Sequence, residues 1–269
     1  MPIIASAFLP PSPLLIPEIG RQNQSILKKT IQAYQNIASI LKNEEVEIIL
    51  IISPHGPAQN KNISLNISPK LNLNFKEFGH LASVGQFMPA LRLANELKNQ
   101  LGHDYPARLV SHEHLDYGSA IPLYLLCPEL KNPKILPLFP AINLNCANHY
   151  QYGQKIGEIL RTRPEKIAII AAGDLSHRLK KNSPGGYSPK GARFDNRLIE
   201  YLNDEDNGLE KILNIDEKMA EEALEGGLKQ LSLLFGIIGN GYQPQILAYQ
   251  NDFGVGYLSV NFNLKVAPI

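Results

Sequence analysis

Short apolar runs rich in β-branched residues, alternating with stretches of helical spacing, constrain this chain more than any other feature. The runs are IIASAFL (3–9), VEIILIIS (46–53), ARLVS (107–111), KILPLF (134–139), KIAIIAAG (166–173), ILAY (246–249) and GYLSVNF (256–262). Each falls far short of the roughly 20 apolar residues that a membrane helix needs. They read as buried strands. Between them, residues 24–41 place Ile26, Leu27, Ile31, Tyr34, Ile37 and Leu41 at steps of three and four, and residues 87–101, 147–160, 192–202 and 220–238 do the same. Strands alternating with helices predict an α/β fold. The expectation is one layered domain over residues 1–269, with a central mostly parallel or mixed sheet and helices on both faces.

Composition narrows the class of function. Apolar residues make up 44% and charged residues 19%, which excludes an extended disordered chain. Lysine and arginine total 26 against 25 acidic residues, with no basic block, so general binding to nucleic-acid phosphates is not expected. Cys127 and Cys146 sit in no zinc or redox spacing and read as reduced, buried thiols. The stretch MPIIASAFLPPSP has no basic leader region, and its apolar run stops at Pro10. A cytoplasmic protein with no membrane partner is expected.

In sheets of this kind, ligands bind beyond the carboxyl ends of the strands. Four of the seven histidines fall there: His55, His112, His114 and His177. His55 lies in Ser-Pro-His-Gly-Pro, where two prolines and a glycine stiffen the turn; that suits a metal ligand or a base as well as a plain surface turn. His177 lies in Gly-Asp-Leu-Ser-His, where Asp174 or Ser176 can orient the imidazole or cap a following turn. An imidazole with an ordinary pKa near ~6.5 can exchange a proton at neutral pH. A serine-hydrolase reading of Ser176 fails, because the Gly-x-Ser-x-Gly elbow is absent. Residues 180–194 read as a Gly/Pro/Ser lid or a solvated loop, with Lys180, Lys181 and Lys190 able to attract an anion. Glu225 precedes Gly226-Gly227, where a helix breaks; it is either a surface glutamate or a carboxylate within reach of a metal on His55.

Taken in order, PPSPLLIPEIG, ISPHGP, LDYGSAIPLY, GDLSHRL with GYSPKGARFD, LEGGLKQLSLLFG and GVGYLSVNF resemble the class III extradiol dioxygenases of the LigB type. The nearest branch is the Memo-like one, also called AmmeMemoRadiSam system protein B. The resemblance spans essentially the whole chain. It implies a LigB-like catalytic-type domain holding non-haem Fe(II) with two histidines and one carboxylate, and ring cleavage of a small catechol-type substrate. On this pattern His55 and Glu225 are metal ligands, and His177 and Tyr117 occupy the acid–base positions. Asp174, Ser176 and Lys190 are expected to bind substrate. Three positions depart from the pattern: Pro11 stands where the other iron-ligand histidine belongs, Tyr117 replaces a second acid–base histidine, and Gly226 stands where a cysteine is common. Those departures imply an alternative, a non-catalytic binding protein or partner subunit that has lost the iron site. Two-subunit relatives pair active with ligand-poor chains, so a homo- or hetero-oligomer is expected.

Overall fold

The apolar runs pair into one sheet. The computed structural model describes residues 2–264, and of Ser83 and Val84 only the backbone. The strands are β1 (Ile3–Leu9), β2 (Ile48–Ile52), β3 (Ile63–Asn66), β4 (Leu71–Phe75), β5 (His80–Phe87), β6 (Ala107–Val110), β7 (Lys134–Phe139), β8 (Ile167–Ala172), β9 (Tyr242–Gln250) and β10 (Tyr257–Leu264). Eight of them form a sheet in the order β6-β3-β7-β2-β8-β1-β10-β9, and β4 and β5 form a separate hairpin. The neighbours β7, β2, β8 and β1 run parallel, in registers such as Leu50 opposite Leu136 and Ile169. The pairs β1-β10, β10-β9 and β3-β7 are antiparallel, so the sheet is mixed.

Alternation along β2 shows how the layers form. Ile48, Leu50 and Ile52 join one core and Ile49 and Ile51 the other, all buried. The helices are α1 (Pro17–Gly20), α2 (Lys28–Asn43), α3 (Leu91–Leu101), α4 (Tyr117–Leu126), α5 (Cys146–Leu160), α6 (Pro189–Leu202), α7 (Gly208–Leu213), α8 (Glu217–Ala223) and α9 (Leu228–Ile238). Side chains from α3 and α5 to α9 fill the first core. Those from α2, α4 and the β4-β5 hairpin fill the second. None of the described helices is long and apolar enough to cross a membrane.

Element boundaries shift where backbone chemistry intervenes. The helix expected over 87–101 begins only at Leu91, because Pro89 holds the residue before it extended and Phe87 closes β5. The helical spacing over 220–238 is divided between α8 and α9. Its break is set by Leu224, which adopts the left-handed conformation (φ 53°, ψ 52°). The segment over 180–194, which reads as a lid or a solvated loop, is fastened down. Ser188 and Pro189 start α6, Ser183 Oγ donates to Gly254 O at 2.8 Å, and Gly185 N donates to His177 O at 3.1 Å.

Candidate functional site

Just past the end of β2, the Ser53 amide donates to Leu138 O at 3.0 Å. His55 follows on the expected stiff turn, and Gly56 presses so closely on the Phe139 ring that a Cβ would overlap it. The start of α4 locks onto this turn. Asp116 caps the helix, accepting from Ser119 N at 3.1 Å and Ser119 Oγ at 2.8 Å, and it also accepts a short hydrogen bond from Ser53 Oγ. Gly118 lets the helix approach, since a Cβ there would lie 2.3 Å from Ser53 Oγ. This clamp lays the Tyr117 ring on His55, with centroids 4.0 Å apart and planes at 25°. Phe78, at the β4-β5 turn, meets Tyr117 edge-on at 5.5 Å.

Burial holds the His55 pKa below the ordinary histidine value, against the opposing pull of Asp116 and Asp174, while His177 lowers it further. His55 is therefore neutral near pH 7. Burial, with Asp174, Glu77 and Asp116, pushes the Tyr117 phenol up to about 12. Where the resemblance implies an acid–base histidine, this chain carries a hydroxyl that stays protonated and donates.

β8 delivers the second half of the site. Ser176 is fully buried and structural: its amide donates to Asp195 Oδ1 at 2.9 Å, its hydroxyl donates to Ala223 O at 2.8 Å, and its Oγ accepts from Arg178 N at 3.0 Å. With that hydroxyl committed to the loop, the substrate role expected for Ser176 gives way to one of shape. His177 Nδ1 lies 2.8 Å from Leu224 O, which fixes the tautomer and turns Nε2 toward Asp174, 3.7 Å from its Oδ2. Burial lowers the His177 pKa. Asp174, the Leu224 carbonyl and Glu225 outweigh burial, and the net shift is upward. His177 is thus a proton donor over more of the neutral range than a free histidine. Asp174 Oδ1 is buried and has no hydrogen-bond partner among the described residues. The Asp174 charge reaches His55, His177, Tyr117 and Tyr257, whose hydroxyl accepts from Ser12 Oγ at 3.1 Å beyond the end of β1. These groups cluster beyond the carboxyl ends of β1, β8 and β2.

Other sequence candidates lie differently. Glu225 Oε2 accepts from Gly227 N at 2.8 Å and Leu228 N at 2.7 Å, so it caps α9. It also lines a neighbouring cleft of about 590 Å3 together with Cys146 and Lys229. Lys190 sits in the first turn of α6, its amide donating to Ser188 Oγ at 3.2 Å, and Lys180 Nζ donates to Asp252 O at 2.9 Å. His112 and His114 are exposed beyond β6, the far edge of the sheet, where Asn66 holds His112 and Asn72 holds the Glu113–Leu115 backbone. Asp195, Ser53 as the partner of Asp116, Tyr257 and Phe78 have no role in the sequence reading. Only Asp116, just ahead of a helical run, carries a local signal, that of an N-cap.

These residues fit a three-ligand iron site poorly. Pro11 offers no donor, Gly226 has no side chain, and one Glu225 oxygen is held by two backbone amides. Among the described residues no group of three or more His, Cys, Asp or Glu side chains is arranged to hold a metal ion.

A layered mixed sheet with imidazoles and carboxylates at its strand ends defines the class. Residues 6–258 match the family described as the catalytic LigB subunit of aromatic ring-opening dioxygenase, and the chain belongs to that family. It is 28% identical over 265 residues to Protein CA_C1420 of Clostridium acetobutylicum, covering 93% of this chain. The chain spans about half (55%) of that relative's length. Its fold is also that of the crystal structure of the uncharacterized protein JW3007 from Escherichia coli K12, with a TM-score of 0.68 at 16% identity, covering 96% of this chain and 99% of that one.

Proposed function

We propose that this chain is a Memo-like LigB-fold binding protein or partner subunit, whose cleft takes a small hydroxylated aromatic molecule and whose iron site has been dismantled. The observation that carries this reading is the commitment of Glu225 to the α9 amides, beside Pro11 and Gly226 where donors are needed. What survives is an organic binding site. The His55–Tyr117 stack and the Phe78 edge offer a surface for a ring. Tyr117 O–H can donate to the ligand's oxygens, and His177 Nε2, 3.7 Å from Asp174 Oδ2, can exchange a proton with them. Iron-dependent ring cleavage is the second reading. Family membership favours it, as does the His177–Asp174 pair, which can hold and pass a proton.

The readings separate in one preparation. Protein exposed anaerobically to Fe(II), then desalted, is expected to retain well under one iron per chain and to consume no O2 with a panel of catechols. Catechol itself is expected to bind, about tenfold more weakly in Tyr117→Phe and His177→Ala, each of which removes one hydrogen-bonding group. Stoichiometric iron with catechol-dependent O2 uptake would establish ring cleavage instead.

A further inference from the structure

The junction between α8 and α9 has two faces. One is knitted to the strand-end loop that carries His177: Ser176 Oγ donates to Ala223 O at 2.8 Å, Gly226 N donates to Asp174 O at 3.0 Å, and His177 Nδ1 lies 2.8 Å from Leu224 O. The other face lines the cleft of about 590 Å3. That volume suits a small ligand, since such sites run from roughly 300 to 1,000 Å3. Leu224 and Glu225 belong to both faces: Leu224 through its carbonyl on His177, Glu225 through its bridge to Ser176. Leu224 is 47% exposed and is held in the left-handed conformation that residues with a side chain rarely adopt.

The lining of this cleft gives the chemistry of its occupant. Ile142, Leu144, Ile215, Leu224 and Leu228 make the walls largely apolar. Ile142, like Leu224, leaves much of its side chain in water, at 52% exposed. Glu217 and Glu221, one helical turn apart on α8, line the cleft and are exposed. With Glu225 they set three carboxylates against one ammonium, that of Lys229, whose Nζ is committed to Ile142 O. Burial pushes the Cys146 thiol up, so it adds no charge.

We infer that this cleft is a second ligand site, for a molecule with a saturated apolar chain and one ammonium head, and that its occupancy is felt at His177 through Leu224 and Glu225. The chain covers the isoleucine and leucine walls, which removes their apolar surface from water. The ammonium lies against Glu217 and Glu221, where a carboxylate head would meet like charge. A saturated chain has no ring to stack on Tyr117, so it separates this site from the one proposed above. The second site does not depend on that role.

Three probes of one shape test it: n-octylammonium, n-octanol and octanoate, titrated into the full chain by calorimetry at low salt and neutral pH. The ammonium is expected to bind about fivefold tighter than the alcohol, and octanoate about fivefold weaker. Changing Glu217→Gln and Glu221→Gln together, both exposed, should bring the three within about twofold of one another. Ile142→Ala, on an exposed turn where folding is not at stake, should weaken all three by about threefold. Octylammonium should also shift the imidazole resonances of His177 in NMR spectra, identified by their loss in His177→Ala. Failure of octylammonium to bind, or an affinity unchanged in Ile142→Ala, overturns the site. A different order of the three, or an order that survives the paired Gln change, overturns the head-group assignment. Binding that leaves the His177 resonances in place overturns the coupling. Octylammonium binding without catechol binding overturns only the role proposed above, and catechol binding without octylammonium binding overturns only the second site.

Discussion

Gly236→Val is expected to cost more than about 3 kcal/mol and to lower the melting temperature by about 10 °C or more, or to prevent folding. The reason is the crossing of α5 and α9. A Cβ on Gly236 would lie 2.1 Å from Tyr150 O and 2.8 Å from Gln154 N, and one on Gly153 would lie 2.2 Å from Leu233 O. Both helices meet through bare backbone, so no side chain can rotate away, and the added volume must push α9 off the sheet. Movement of α9 would carry the Glu225 cap and the Leu224 carbonyl that orients His177. Gly226→Ala is the contrast. Its Cβ would find His177 Cε1 at 3.5 Å, an ordinary contact, and its effect should stay within about 1 kcal/mol. Thermal melts of the two variants give the comparison. A Gly236→Val protein melting within a couple of degrees of the parent would show that the crossing can slide.

The second large effect is a pH dependence centred on Asp195. This carboxyl, on α6, is fully buried; it accepts from Ser176 N at 2.9 Å and from Tyr249 OH at 2.7 Å, and it lies against Gly256. Burial raises its pKa from 3.8 to about 7, against the lowering by Tyr249, Ser176 and His177. The folded state therefore binds this proton more tightly than the unfolded chain. The contribution is fully present below pH about 3.8 and is lost as pH rises through about 7. A displacement of that size is worth on the order of 4 kcal/mol. Asp195→Asn stays neutral throughout, so its melting temperature should gain on the parent's steadily from pH 4 to pH 8. A difference between the two that does not change with pH would refute this account.

Neither effect is legible in one dimension. Gly153 and Gly236 lie in ordinary helical spacing, and nothing local marks them as the points where two backbones touch. Asp195 sits in Ala-Arg-Phe-Asp, which reads as a helix surface, yet α6 rolls it inward to meet β9 and the β8 exit. The hairpin β4-β5 escaped notice as well. Its strand LNLNF is half polar, and the structure buries the apolar half against α4 while leaving the other half open.

The strands are another matter. Runs such as IIASAFL and KILPLF coincide with β1 and β7 residue for residue, because a strand buried on both faces is apolar along nearly all of its length. The parallel core, the helices on both faces and the strand-end positions of His55 and His177 follow from that pattern and from the handedness of strand–helix connections. The chemistry of the site does not. Which tautomer His177 holds, whether Glu225 faces a cleft or caps a helix, and whether Tyr117 is a base or a donor all depend on groups distant in sequence. Leu224 lies 47 residues from His177, and Asp116 lies 63 from Ser53. Covalent neighbours set burial and period, which are local averages. Proton affinity and hydrogen-bond pairing are set by the few atoms within about 4 Å, and only the folded chain chooses those atoms.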